Sequence, residues 1–170
     1  MKIIYAMVVA LVLTGCATQR GFPPNNGIGN FDRLDDKVYR GAQPSHEAIA
    51  KLAKAGVTRV INLRLPGDTA PYEKSACRAE GIEYFNVPIG GFSAPTDAQV
   101  HRVFSLIETA HGPVYIHCQW GCDRTGTMCA CWRIHHDGWS NAQALQEAVI
   151  YGLSPWEQSM RYYILHYHEK

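Results

Sequence analysis

A cysteine followed six positions later by an arginine, with glycine and hydroxyl side chains around them, can cradle an anion and attack it. The segment His117-Cys118-Gln119-Trp120-Gly121-Cys122-Asp123-Arg124-Thr125-Gly126 has this form, after a β-branched and aromatic run from Pro113 to Ile116 and before a helical pattern. A strand that ends at a nucleophile and feeds a helix N-terminus aims several backbone N–H groups, and the positive end of the helix dipole, at one small volume. An anion belongs in that volume. The same groups favour the thiolate, the nucleophilic form of Cys118, and Arg124 adds a fixed fork of donors suited to two phosphate oxygens. Gly121 lets the backbone turn without a Cβ, and Thr125 places a hydroxyl beside the sulfur. Gln119, Trp120 and Cys122 complete the cradle, with His117 behind it. Two blander readings exist: a structural disulfide between Cys118 and Cys122, or a metal site that includes His117. A metal site needs a second ligand pair at compact spacing, and the sequence has none, so no metal is expected.

His117-Cys118-x-x-Gly121-x-x-Arg124-Thr125-Gly126 resembles the signature loop of cysteine-dependent protein tyrosine and dual-specificity phosphatases. Val38-Tyr39-Arg40-Gly41-Ala42-Gln43-Pro44-Ser45 and Val60-Ile61-Asn62-Leu63-Arg64 are similar to opening segments of bacterial and plant-fungal dual-specificity-like members, so the resemblance covers Phe31 to Lys170. It implies attack by Cys118 on a phosphomonoester, a cysteinyl-phosphate intermediate and hydrolysis by water, with no cofactor. It also implies that His117 orients Cys118 and that Gln43 and Arg64 border the site. The implied substrate is phosphotyrosine, with phosphoserine or phosphothreonine if the cleft is wide. An inositol phosphate or phosphoinositide stays open through the Asn62-Leu63-Arg64 likeness. A silent phosphate-binding relative and a rhodanese-like sulfur carrier are the competing classes; intact Cys118 and Arg124 argue against the first, and the Arg-Thr-Gly run against the second.

The family's proton donor is an aspartate on a loop upstream of the cysteine, where this chain reads Pro88-Ile89-Gly90-Gly91-Phe92-Ser93-Ala94-Pro95, without a carboxylate. Asp97 and Asp123 are the expected candidates. Asp97 equally suits the first turn of a helix, where the dipole favours a carboxylate. Asp123 resembles the aspartate at this position in bacterial dual-specificity-like proteins and myotubularins, and equally suits a carboxylate that holds the loop's shape. Asp68 stands third.

The elements around the loop alternate. Lys37 to Arg40 reads as an edge strand. Ser45 opens a helix through Ala55, closed by Gly56, and Val57 to Leu63 is a buried strand. Residues 65–70 form a loop, Pro71 to Glu80 a helix, Ile82 to Val87 a strand, and 96–110 a helix whose Val100, Val103, Phe104 and Ile107 share a face. Val114 to Ile116 is the strand entering the loop; residues 125–136, 140–151 and 155–168 read as helices. The expected fold is α/β, a central, largely parallel sheet of four to five strands flanked by helices. Trp156, Tyr162, Tyr163 and Leu165 read as packing, and Trp120 as either a cleft wall or a shield. His135, His136, His166 and His168 read as solvated helix faces.

The 170 residues, 46% of them hydrophobic, suffice for one domain with a substantial core, and a net charge of +1 with no basic stripe argues against nucleic acid. A monomer is expected. Ile3 to Leu13 is an apolar run too short for a bilayer span of ~20 residues, and it ends in Leu13-Thr14-Gly15-Cys16, which looks like a bacterial lipoprotein processing box. The reading is a signal peptide over 1–15, a lipidated Cys16 with a flexible tether over 16–30, and a phosphatase domain over 31–170. Ala17 after the cysteine favours the periplasmic face of an outer membrane. Cys77, Cys118, Cys122, Cys129 and Cys131 are then an odd set for an oxidising compartment. Cys129 and Cys131 suit small buried thiols, and Cys122 could trap the Cys118 sulfur as a reversible disulfide.

Overall fold

The computed structural model describes residues 21–168, so the expected signal segment and Cys16 lie outside the described residues. Five strands, β1 (Asp32–Arg33), β2 (Val38–Gly41), β3 (Arg59–Asn62), β4 (Glu83–Asn86) and β5 (Val114–His117), form one sheet in the order β1-β2-β5-β3-β4. β1 is antiparallel to β2; the other pairings are parallel. The expected α/β fold is therefore present, with one difference at its edge. The segment expected as an edge strand is internal, because the two-residue β1 pairs outside it. So short a strand carries no alternation that a sequence could reveal.

The described residues hold six helices, α1 (His46–Lys54), α2 (Glu73–Ala79), α3 (Asp97–Glu108), α4 (Asp123–Asp137), α5 (Asn141–Ile150) and α6 (Gln158–His166); parallel strands need crossovers, which α1, α2 and α3 supply, and α4, α5 and α6 follow the last strand. Ser45 caps α1 by accepting from the Ala48 N–H at 3.2 Å. Thr96 and Ser140 start α3 and α5 as reciprocal capping boxes with Gln99 and Gln143. Side chains alternate across a strand, so β3 sends Val60 to the face covered by α1 and α2, where Ile49, Leu52 and Cys77 pack. Ile61, with Val114 and Ile116 of β5, goes to the other face, against Val103, Phe104, Met128 and Trp132 of α3 and α4. From Thr125 to Trp132 every residue of α4 is buried, because α5 and α6 cover its outer side through Ala144, Ala148 and Met160.

The register brings the site together. Gly41 and Asn62 both stand opposite His117, so β2, β5 and β3 end level and the segments after them converge on Cys118. Ligands of open parallel sheets bind in such a crevice at the carboxyl ends of the strands.

Two expectations are corrected. Residues 21–30, expected as tether, pack on the domain: Asn25 and Ile28 exchange backbone hydrogen bonds at 3.0 Å, Ile28 is buried beside Ala42, and the Ala42 N–H donates to the Gly29 carbonyl at 2.8 Å. The turn-forming asparagines and glycines that suggested a linker serve a tight turn, with Asn26 and Asn30 in the left-handed region. The last helix begins at Gln158, not at 155, and Trp156 ahead of it is 87% exposed, with Tyr162 also exposed; only Tyr163 of the expected packing residues joins the core.

Candidate active site

Cys118 follows directly on β5, the middle strand of the five, and α4 starts at Asp123. The sulfur-bearing residue is 2% exposed. The residues after it face outward: Gln119, Trp120, Asp123 and Arg124 line a cleft of about 390 Å³ with Arg64, Asp68, Gly91, Phe92 and Glu157. The loop is held from the β2 side. The Gln43 N–H donates to the Gln119 carbonyl at 3.2 Å, and Gly121, at φ +71°, presses against β2 so closely that a Cβ would lie 2.5 Å from the Gly41 carbonyl carbon. Glycine at 121 is thus required twice, by its left-handed backbone and by the contact.

Behind the cysteine lies a buried polar cluster. His117 Nδ1 is 3.1 Å from the Cys118 carbonyl oxygen, and Nε2 is 2.7 Å from Oε1 of Glu73, both side chains wholly buried. The Nε2–Oε1 contact joins a ring nitrogen to a carboxylate oxygen with both side chains out of water. Glu73 Oε2 accepts from Asn62 Nδ2 at 2.7 Å, and Asn62 Oδ1 accepts from the Arg64 N–H at 2.8 Å. Burial works to raise the Glu73 carboxyl, but the His117 hydrogen bond and charge, with hydrogen bonds from Gln43 and Asn62, outweigh it and hold it below the usual carboxylate range. Tyr115 stacks on the His117 ring at 5.5 Å, and Arg64 Nη1 donates to Gln43 Oε1 at 2.8 Å, which ties the cleft wall to the cluster. The sequence pointed to His117, Gln43 and Arg64. Glu73 escaped notice, since an acidic residue in the first turn of a short helix looks like an ordinary dipole partner; its only signal was its place on the inward face of α2.

The carboxylates separate. Asp97 opens α3 and accepts from the Tyr163 hydroxyl at 2.8 Å, in a separate hollow shared with Tyr162 and His166. The structure does not bring it to the cleft with Arg124. Asp123 does line the cleft, with Oδ1 accepting from the Ser154 N–H at 2.9 Å, which ties α4 to the turn before α6. Asp68, on the single 3-10 turn Pro66–Asp68, lines the cleft and is exposed. Glu157, not singled out in the sequence, also lines it.

Trp120 (67% exposed) and Phe92 (86%) stand at the mouth, so Trp120 walls the cleft and does not shield it. Cys122 is wholly buried, its sulfur 3.6 Å from Asn30 Nδ2 and 3.4 Å from the Trp120 carbonyl oxygen. Burial pushes the Cys77 thiol up to about 12 and the Cys129 thiol up to about 11, and raises Cys131 further; these are packed, unreactive sulfurs. His135 lies 3.3 Å from Glu108, His136 stacks on Trp132, and His166 stacks on Tyr162.

A largely parallel sheet whose middle strand ends in a cysteine loop, backed by a helix N-terminus, is the architecture of the cysteine-dependent phosphatases. Residues 25–160 match the family model described as "DSP-PTPase phosphatase fused to NAD+ Kinase", and the chain belongs to that family. It is 30% identical over 126 residues to the dual specificity protein phosphatase TpbA of Pseudomonas aeruginosa, an alignment covering 69% of this chain and 52% of TpbA. The chain thus spans about half the length of that curated relative. Among solved structures, P. aeruginosa TpbA matches with a TM-score of 0.70 at 24% identity, covering 87% of this chain and 90% of that one. The core catalytic domain of the PP-IP phosphatase SIW14 of S. cerevisiae matches with a TM-score of 0.72 at 21% identity, covering 87% and 88%. At these identities the structural likeness speaks for the fold.

Proposed function

We propose that this chain hydrolyses phosphomonoesters through a cysteinyl-phosphate intermediate. The observation that carries the reading is that Cys118 directly follows the central strand β5 and precedes α4, and that the residues right after it, Gln119, Trp120, Asp123 and Arg124, line the cleft. The phosphate enters with its oxygens on the Arg124 guanidinium and the loop N–H groups, where the helix dipole favours negative charge. The Cys118 thiolate attacks phosphorus, the P–O bond to the leaving group breaks, and the leaving oxygen takes a proton. Water then attacks the cysteinyl phosphate, the S–P bond breaks, and inorganic phosphate leaves with the thiolate restored. Thr125, wholly buried and with no hydrogen-bond partner for its hydroxyl among the described residues, supplies a donor for the sulfur as it becomes the leaving group. The proton donor is Asp68: it stands exposed in the cleft wall, whereas Asp97 faces Tyr163 and Asp123 is engaged with the Ser154 N–H.

The open cleft, with Phe92 and Trp120 at its mouth, suits a phosphorylated side chain carried on a protein, phosphotyrosine first and phosphoserine or phosphothreonine with it. Turnover of p-nitrophenyl phosphate by the full chain, abolished in Cys118→Ser, tests the reaction. A panel of phosphopeptides and inositol phosphates tests the substrate class. The chain is further proposed to act as a monomer tethered by lipid on Cys16 to the periplasmic face of the outer membrane. Metabolic labelling with a radioactive fatty acid, lost in Cys16→Ala, tests the anchor, and light scattering tests the monomer.

A further inference from the structure

The wholly buried Arg40 spends little of its donor capacity. Its Nη2 donates to the Gly121 carbonyl at 2.7 Å, and its guanidinium lies 3.8 Å over the Tyr151 ring, but Nε and Nη1 have no hydrogen-bond partner among the described residues. A guanidinium left this way in a dry interior is costly unless an anion balances it, and cation–π contact with one ring offsets only part of that cost. The Gly121 carbonyl takes a second donor as well: Asn30 Nδ2, 2.9 Å away, which also donates to the Tyr151 carbonyl at 2.8 Å.

Two donors on one carbonyl fix the direction of a peptide plane. Across a trans peptide the C=O and the next N–H point to opposite sides, and the described chain has no cis bond. With the Gly121 oxygen drawn outward to Arg40 and Asn30, the Cys122 N–H is turned to the other side of the plane, towards the concave side of the loop. The positive charge of Arg40 on the carbonyl also polarises that peptide, which strengthens its N–H as a donor. The space beside Gly121 is filled by the Gly41 backbone, which a Cβ at 121 would meet at 2.5 Å.

We propose that Arg40, with Asn30, is a positioning residue of the anion cradle: from behind the loop it locks the Gly121–Cys122 peptide so that its N–H faces the phosphate, and it contributes a buried countercharge to the bound anion. The inference rests on the phosphatase reading only in taking the loop's ligand to be a phosphate.

The test is calorimetric binding of inorganic phosphate to the full chain, in a Cys118→Ser background so that turnover plays no part, with kcat and KM measured in parallel on chains that keep Cys118. Arg40→Met keeps the bulk and removes charge and donor; a hydrogen bond involving a charged group is worth ~1.5–3 kcal/mol, so phosphate affinity should fall about 10- to 100-fold. The fall should appear at temperatures well below the variant's unfolding transition, with kcat reduced by a similar factor. Arg40→Lys should recover part of the affinity. Should Arg40→Met fail to fold, Asn30→Ala, which removes one of the two donors, should still weaken phosphate binding several-fold. A purely structural Arg40 would lower the melting temperature but leave phosphate affinity and kcat of the folded variant within twofold of the parent, and that result overturns the inference. Unchanged phosphate affinity in a folded Asn30→Ala overturns the locked-peptide argument in the same way. Phosphate that binds and weakens as stated in a chain that turns over no phosphoester would instead overturn the catalytic reading and leave the cradle intact.

Discussion

Glu73 is the residue whose replacement separates charge from bonding behind the nucleophile. Removing one partner of a buried pair leaves the other uncompensated, which costs ~3–5 kcal/mol. Glu73 and His117 are both fully buried, 2.7 Å apart, so Glu73→Ala falls in that range. Asn62 Nδ2 would keep the Tyr84 hydroxyl at 3.0 Å, so little is added from that side. At ~2–4 °C per kcal/mol for a chain of this length, the melting temperature should drop by about 6–20 °C. Glu73→Gln should cost only about 1 kcal/mol. Its amide oxygen can accept from Asn62 and its NH2 can face a neutral His117 that still donates Nδ1–H to the Cys118 carbonyl. The two variants also differ with pH. The folded carboxyl of Glu73 is lowered from 4.5, so its stabilisation is fully present above about pH 4.5 and is lost as pH falls through the lower folded value. The stability gap between the parent and Glu73→Gln should therefore narrow below that pH. Urea titrations of parent, Glu73→Ala and Glu73→Gln at several pH values make the measurement. A Glu73→Ala chain within 1 kcal/mol of the parent, on the scale such pairs normally show, would refute the reasoning.

Gly121→Ala should lose several kcal/mol and nearly all activity, because the new methyl meets the Gly41 backbone at 2.5 Å on a residue at φ +71°; thermal melting and aryl phosphate turnover check it. A general acid matters for poor leaving groups and little for good ones, so Asp68→Asn should slow alkyl phosphates by about 10²-fold or more while sparing p-nitrophenyl phosphate, and Asp97→Asn should slow neither. Equal alkyl phosphate rates in Asp68→Asn and the parent would remove Asp68 from that role.

The candidate loop was legible because its residues are local. Cys118, Gly121, Arg124 and Thr125 lie within one strand–loop–helix segment, and that context, with the family resemblance of the loop, points to an anion cradle. The helices were legible from Ser45 as a cap and from the 3.6-residue period of α1 and α3. What supports the loop from outside was not. Glu73, Asn30 and Arg40 reach it from α2, the N-terminal turn and β2, over separations of up to 91 residues, and each looks locally like something else: a dipole partner, a turn former, a strand residue. The setting of the carboxylates was not legible for the same reason, since Asp97 meets Tyr163 of α6 while Asp68 lines the cleft, and neither contact leaves a local pattern. Trp156 and Tyr162 misled because helical spacing marks a face without saying whether another element covers it.

One sulfur, that of Cys118, is proposed to carry the phosphoryl group. Acid-quenching the full chain during turnover of an aryl phosphate and mapping its peptides by mass spectrometry tests this directly. One added phosphoryl group is expected on the peptide containing Cys118 and on no other, absent in Cys118→Ser together with turnover. Steady turnover with the phosphoryl group on another residue, or turnover that survives in Cys118→Ser, would contradict it.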